Sequence, residues 1–184
     1  HVFYANLTQP PLLVIDWHSE VNPTCYDYSN GSATFSGTGG TTPYSYQVLD
    51  ASGAVVGNSS TLTHGGYAYL ITDNNGCMST GSMDITEPEK VEAKFDIASN
   101  MVLLSEGGNG VFTNNSTGAE SFEWDFADGT YSTEENPVHT YSDAGYYQVY
   151  LTAYSGVCSS QANAPIEIID NSVGLDNETN PGNA

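Results

Sequence analysis

Apolar and polar positions alternate along much of the chain, in runs too short for helices. The clearest is Tyr146 to Tyr154, where Tyr147, Val149, Leu151 and Ala153 share one parity and Tyr146, Tyr150 and Tyr154 the other. Period two marks a strand with one buried face. Runs of this kind predict strands at 12–17, 32–36, 44–49, 67–72 and 79–85, and again at 101–104, 110–113, 122–126, 146–154 and 164–169. No segment carries apolar residues at helical spacing over a useful length. Asp73-Asn74-Asn75-Gly76 reads as a hairpin turn by composition.

Two features recur along the chain. Leu7-Thr8-Gln9-Pro10 returns as Ile85-Thr86-Glu87-Pro88, and the G-x-Y-x-φ-x-φ run at Gly65 returns at Gly145. A glycine turn followed by strict alternation is how a late sandwich strand begins, and Tyr67 and Tyr147 are placed to close tyrosine corners. A repeat of about 80 residues with closely spaced turns predicts an all-β chain of two tandem immunoglobulin-like β-sandwiches. The first spans 11–88 and the second 89–170. Residues 1–10 match the end of a module and read as the last strand of a preceding one, and the polar 171–184 reads as a linker. The junction over 88–95 lacks Gly and Ser and alternates directly into a strand, which predicts a stiff joint.

Charge narrows the function. The chain holds 22 Asp and Glu against 2 Lys, Lys90 and Lys94, with no Arg, for a net charge of −20. Phosphate backbones and anionic lipid would repel such a surface, which excludes nucleic-acid partners. No apolar run is long enough for a spanning helix, so membrane insertion is not expected. The histidines, His1, His18, His64 and His139, fall in no Ser-His-Asp order and no H-E-x-x-H motif, and there is no phosphate loop. An enzyme is not expected. No cofactor is called for, with calcium the one candidate: Asp73, Asn75 and Asp143 are oxygen donors in acidic loops, without EF-hand spacing. The outer parity of the tyrosine run, Tyr146, Tyr150 and Tyr154, is a candidate contact surface, although cross-strand packing alone would also account for it.

Two families are legible in motifs. Cys25, Gly39-Gly40-Thr41-Thr42-Pro43-Tyr44-Ser45-Tyr46, Gly65-x-Tyr67, Thr72-Asp73-Asn74-Asn75-Gly76-Cys77 and Ile85-Thr86-Glu87-Pro88 follow one another through the first module, which resembles the SprB repeat of gliding-bacterium surface adhesins. Trp124-Asp125-Phe126-Ala127-Asp128-Gly129, Asn136-Pro137-Val138-His139-Thr140-Tyr141 and Gly145-Tyr146-Tyr147-Gln148-Val149 make the second module similar to the PKD domain, with Ala127 where that family usually has glycine. The resemblance implies that Asp125 fixes its turn by hydrogen bonds and that His139 packs rather than catalyses. It also implies an extracellular, cell-surface adhesin or filament segment exported by the type IX system, non-catalytic and acting as stiff spacer modules. A carbohydrate- or protein-binding module is the alternative, and an accessory domain of a secreted enzyme the third reading. Expected partners are neighbouring modules of the same chain, further copies in a homo-oligomer or filament, and a surface polysaccharide or protein. The family pairing implies a Cys25–Cys77 disulfide, suited to an oxidising compartment. That leaves Cys158 expected as a buried thiol, with an intermolecular bond the lesser option.

Overall fold

A computed structural model describes residues 9–57 and 59–171. The described chain is all-β, with one 3₁₀ turn at Leu104–Glu106 and no α-helix. It divides into two compact units between Glu89 and Lys90.

The first unit contains β1 (Val14–Val21), β2 (Ser32–Thr38), β3 (Ser45–Leu49), β4 (Val55–Val56), β5 (Gly65–Thr72) and β6 (Met78–Ile85). β1 and β2 form one sheet, and the other runs β4-β3-β5-β6. β1 continues past its apolar run because His18, Ser19 and Glu20 pair with Phe35, Thr34 and Ala33 of β2, after a bulge between Ile15 and Trp17. Ala33, Val48, Leu62, Tyr69, Met83 and Ile85 form the core between the sheets.

The second unit contains β7 (Phe95–Ile97), β8 (Met101–Leu103), β9 (Asn109–Asn114), β10 (Ser121–Asp125), β11 (Tyr131–Ser132), β12 (Val138–Thr140), β13 (Gly145–Ser155) and β14 (Cys158–Ile169). The sheets are β12-β9-β7 and β11-β10-β13-β14-β8, with β8 parallel to β14 and the other pairs antiparallel. Trp124, Phe112, Phe126, Tyr141, Val149, Leu151, Ile166 and Ile168 are buried between them. Trp124 is fully buried, and its indole N–H donates to the Glu134 carbonyl at 2.9 Å, which removes the cost of an unmet donor. The paired sheets of each unit make the immunoglobulin-like sandwich that the alternation predicts.

The tyrosine corners form in both units. Tyr67 donates to the Thr63 carbonyl and Tyr147 to the Asp143 carbonyl, each at 3.1 Å and each four residues upstream. The cysteines depart from expectation. Cys77 is a free, exposed thiol, so the Cys25–Cys77 disulfide does not form, whereas Cys25 and Cys158 are both disulfide-bonded. The reason lies in strand length. The turn carrying Cys25 is held at the Ile85 end of β6, where Asn22 Oδ1 accepts the Thr86 N–H and Glu87 Oε2 accepts the Asp27 N–H. Cys77 precedes the other end of the same strand. Eight residues of strand span about 25 Å, several times the Cα separation of about 6 Å that a disulfide allows.

Candidate functional site

The outer face of β13 presents Tyr146, Gln148, Tyr150, Thr152 and Tyr154, because the opposite parity holds Val149, Leu151 and Ala153 fully buried. Register with the neighbouring strands completes the surface. Asp125 of β10 lies between Tyr131 of β11 and Tyr150 of β13, and Asn163 of β14 lies beyond Tyr150. One row along, Glu123 faces Thr152, which faces Gln161, and Gln161 Nε2 donates to Thr152 Oγ1 at 3.1 Å. Gln148 Nε2 likewise donates to Asn163 Oδ1 at 2.7 Å. Glu123, Asp125, Tyr131, Tyr150, Thr152 and Gln161 line a shallow depression of about 310 Å³.

The three tyrosines expected on this face differ in their surroundings. Tyr154 donates its hydroxyl to Glu123 Oε2 at 3.0 Å, and that bond to a carboxylate raises its pKa. The Glu167 carboxylate raises Tyr146 in the same way. Tyr150 alone of the three lines the depression. Tyr131, which is 64% exposed, was not legible as part of the face, since it sits on a two-residue strand whose placement depends on pairing with Asp125.

The loop donors serve as braces. Asp73 is buried; Oδ1 accepts the N–H groups of Asn75 and Cys77, and Oδ2 that of Thr41. Burial pushes its pKa up, but the hydrogen bonds from Cys77, Thr41 and Asn75 outweigh it and the net shift is downward. Asn75 Nδ2 donates to Thr41 Oγ1, and Asp143 Oδ2 accepts from Ser142 Oγ. Asp73 and Asn75 belong to the first unit and Asp143 to the second. Among the described residues, no three His, Cys, Asp or Glu side chains gather as a metal site would require.

Asp125 accepts the Ala127 N–H at 2.9 Å, which holds Ala127 at φ 62°, a left-handed conformation that favours glycine. His139 stacks on Phe126 with ring centroids 4.1 Å apart and 6° between planes, and its Nε2 lies 2.7 Å from Asp128 Oδ2. Thr130 and Tyr141 flank the same ring. The group is a packed corner between strands. In the first unit a larger cleft, of about 570 Å³, runs between β2 and β3–β4, with Phe35, Tyr46, Val48, Val55 and Val56 in its walls and no charged residue among them.

Comparison with known proteins bears on the second unit. The PKD domain family model matches residues 104–168. Among solved structures, the PKD1 domain of the Vibrio cholerae metalloprotease PrtV is 29% identical, with 42% of this chain and 95% of that one covered and a TM-score of 0.36. The PKD1 domain of Vibrio anguillarum Epp is 25% identical over 45% of this chain and 96% of that one, at a TM-score of 0.38. The amphioxus IgVJ-C2 molecule is 12% identical over 81% of this chain and 95% of that one, at a TM-score of 0.34. No curated protein matches. The family match supports a PKD domain in the second unit, on the 104–168 segment that holds the tyrosine face.

Proposed function

We propose that this chain is a non-catalytic structural and adhesive segment of an extracellular surface protein, serving as spacer modules. The observation that carries the reading is the succession of two sandwich units, each with its own core and tyrosine corner, one of them matched as a PKD domain. PKD and immunoglobulin-like domains are commonly extracellular structural or binding modules and are in general non-catalytic. Two disulfide-bonded cysteines fit an oxidising compartment. The SprB-like motifs of the first unit favour a surface adhesin exported by the type IX route. A spacer has to keep its fold under tension. With handles at its two ends and its disulfide-bonded cysteines reduced, the chain should unfold in discrete cooperative steps, at forces well above those that extend an unstructured polypeptide of equal length. A unit that yields without a step ends the spacer role.

The tyrosine depression favours a second reading, a binding module, and the two are compatible in an adhesin. Binding of purified chain to arrayed surface polysaccharides and proteins, compared with a Tyr131→Ala and Tyr150→Ala double variant, tests it. Equal binding by the two forms removes the face from the account.

A further inference from the structure

We infer that the depression between Tyr131 and Tyr150 is a docking site for an arginine side chain on an extended peptide segment of a partner protein. The inference rests on the adhesive part of the reading above and adds the partner's chemistry.

The sheet register brings the parts together. Neighbouring strands lie about 4.8 Å apart, so the two tyrosines that flank Asp125 stand roughly 10 Å from each other across β10, close enough for one side chain to lie between them. The lining is two aromatic rings, two carboxylates and two neutral polar groups, with no cation. A guanidinium matches that set: it stacks on aromatic faces and donates in a plane to carboxylate oxygens. Asp125 has Oδ1 engaged by the Ala127 N–H and Glu123 has Oε2 engaged by the Tyr154 hydroxyl. Those bonds orient the carboxylates, and the other oxygen of each is the acceptor in this proposal. Tyr154 and Glu123 also bound a second depression beside the first, with Glu120 and Glu135 in its wall, so the acidic surface continues along the strands.

Charge selects against a second copy of this chain as the occupant. A copy would bring no arginine and a net charge of −20, and its two lysines, Lys90 and Lys94, are its whole cationic complement. Extended peptide suits a flat sheet face better than a folded projection, since side chains on one edge of an extended segment repeat at about 7 Å, as Glu123 and Asp125 do on β10.

The test titrates the whole chain into a fluorescein-labelled peptide of alternating arginine and threonine, followed by anisotropy. A glutamate–threonine peptide and a neutral oligosaccharide serve as comparison ligands. A chain this acidic attracts any cationic peptide, so the decision lies with variants that leave the charge unchanged. Tyr131→Ala removes an exposed ring and Tyr150→Ala a half-buried one, and each should weaken arginine-peptide binding at least tenfold. Glu123→Gln should weaken it and flatten its dependence on salt, whereas Tyr28→Ala, an exposed tyrosine of the first unit, should not change it. Thermal melts of each variant separate lost binding from lost folding. Unchanged affinity in both tyrosine variants overturns the inference, as does equal binding of the glutamate peptide or no binding of the arginine one. Tyrosine-dependent binding of the oligosaccharide alone also overturns it, but leaves the adhesive reading standing.

Discussion

The carboxylate of Asp128 shows how one residue ties the stability of the second unit to pH. Burial pushes its pKa up, yet hydrogen bonds from Thr130 and His139 outweigh that and leave it below the ordinary carboxylate value. A carboxyl group with a depressed folded pKa stabilises above its unfolded pKa of about 3.9, and that contribution is lost as pH falls through the folded value. Stability of this unit should therefore decline below about pH 4. Asp128→Asn should cost about 1–3 kcal/mol at pH 7 and remove much of the acid decline. Melts followed by Trp124 fluorescence in a Trp17→Phe background would show it; parallel pH curves for the two forms would contradict the role. The thiols give a second prediction at this scale. Because Cys77 is free and exposed while Cys25 and Cys158 are bonded, iodoacetamide should add a single label to the native chain. Denaturant alone should add none, and reduction should open both remaining sulfurs. A native chain that takes no label would mean that Cys77 is not the free thiol.

Strand pairs carry information that no single strand shows. Tyr69 of β5 lies opposite Gly81 of β6 with its ring over the glycine, and a Cβ at Gly81 would meet the ring at 2.4 Å. That ring is buried against Phe35 and stacks on His18, so it has no easy retreat. Gly81→Ala should cost about 1–3 kcal/mol through overpacking, whereas Gly57→Ala, with nothing within 4 Å of the added atom, should stay within about 0.5 kcal/mol. Equal melting temperatures for the two would show that the ring moves aside. The same dependence on partners explains what the sequence could reveal. The alternation of β13 was legible because burial on one face imposes it, and the G-x-Y corners because they are local. The first half of β14, Ser159 to Asn163, is polar but for Ala162 and is a strand only because β13 pairs with it. Strands of two or three residues, such as β4, β11 and β12, are too short to show a period. For the candidate site, parity picked out Tyr150, but Tyr131, Glu123, Asp125 and Gln161 join it through register, which no linear pattern encodes. The cysteine pairing failed for a related reason: motif order names the residues at strand ends without saying which ends meet.

At the scale of the molecule, the two units use different means to build sandwiches of similar length. The second packs Trp124 and Phe126 as tilted rings against Phe112 at centroid distances of 5.4–5.6 Å, and the first fills its interior with Leu62, Val48, Met83 and a single buried tyrosine. Both carry an acidic exterior, and the only two basic side chains of fixed charge, Lys90 and Lys94, occur where one unit gives way to the next. Lys90 is exposed beside Glu92, whereas the Lys94 backbone bonds to Ser116 and Asn115. For a protease that cleaves after lysine and arginine, the chain therefore offers two addresses, both at the seam and the first the more open. Limited trypsin digestion followed by reduction should yield residues 1–90 and 91–184, the latter trimmed slowly to 95–184, with no cut elsewhere. Trypsin would then nick the chain only where its modules meet, and the strands of each module would stay in one piece.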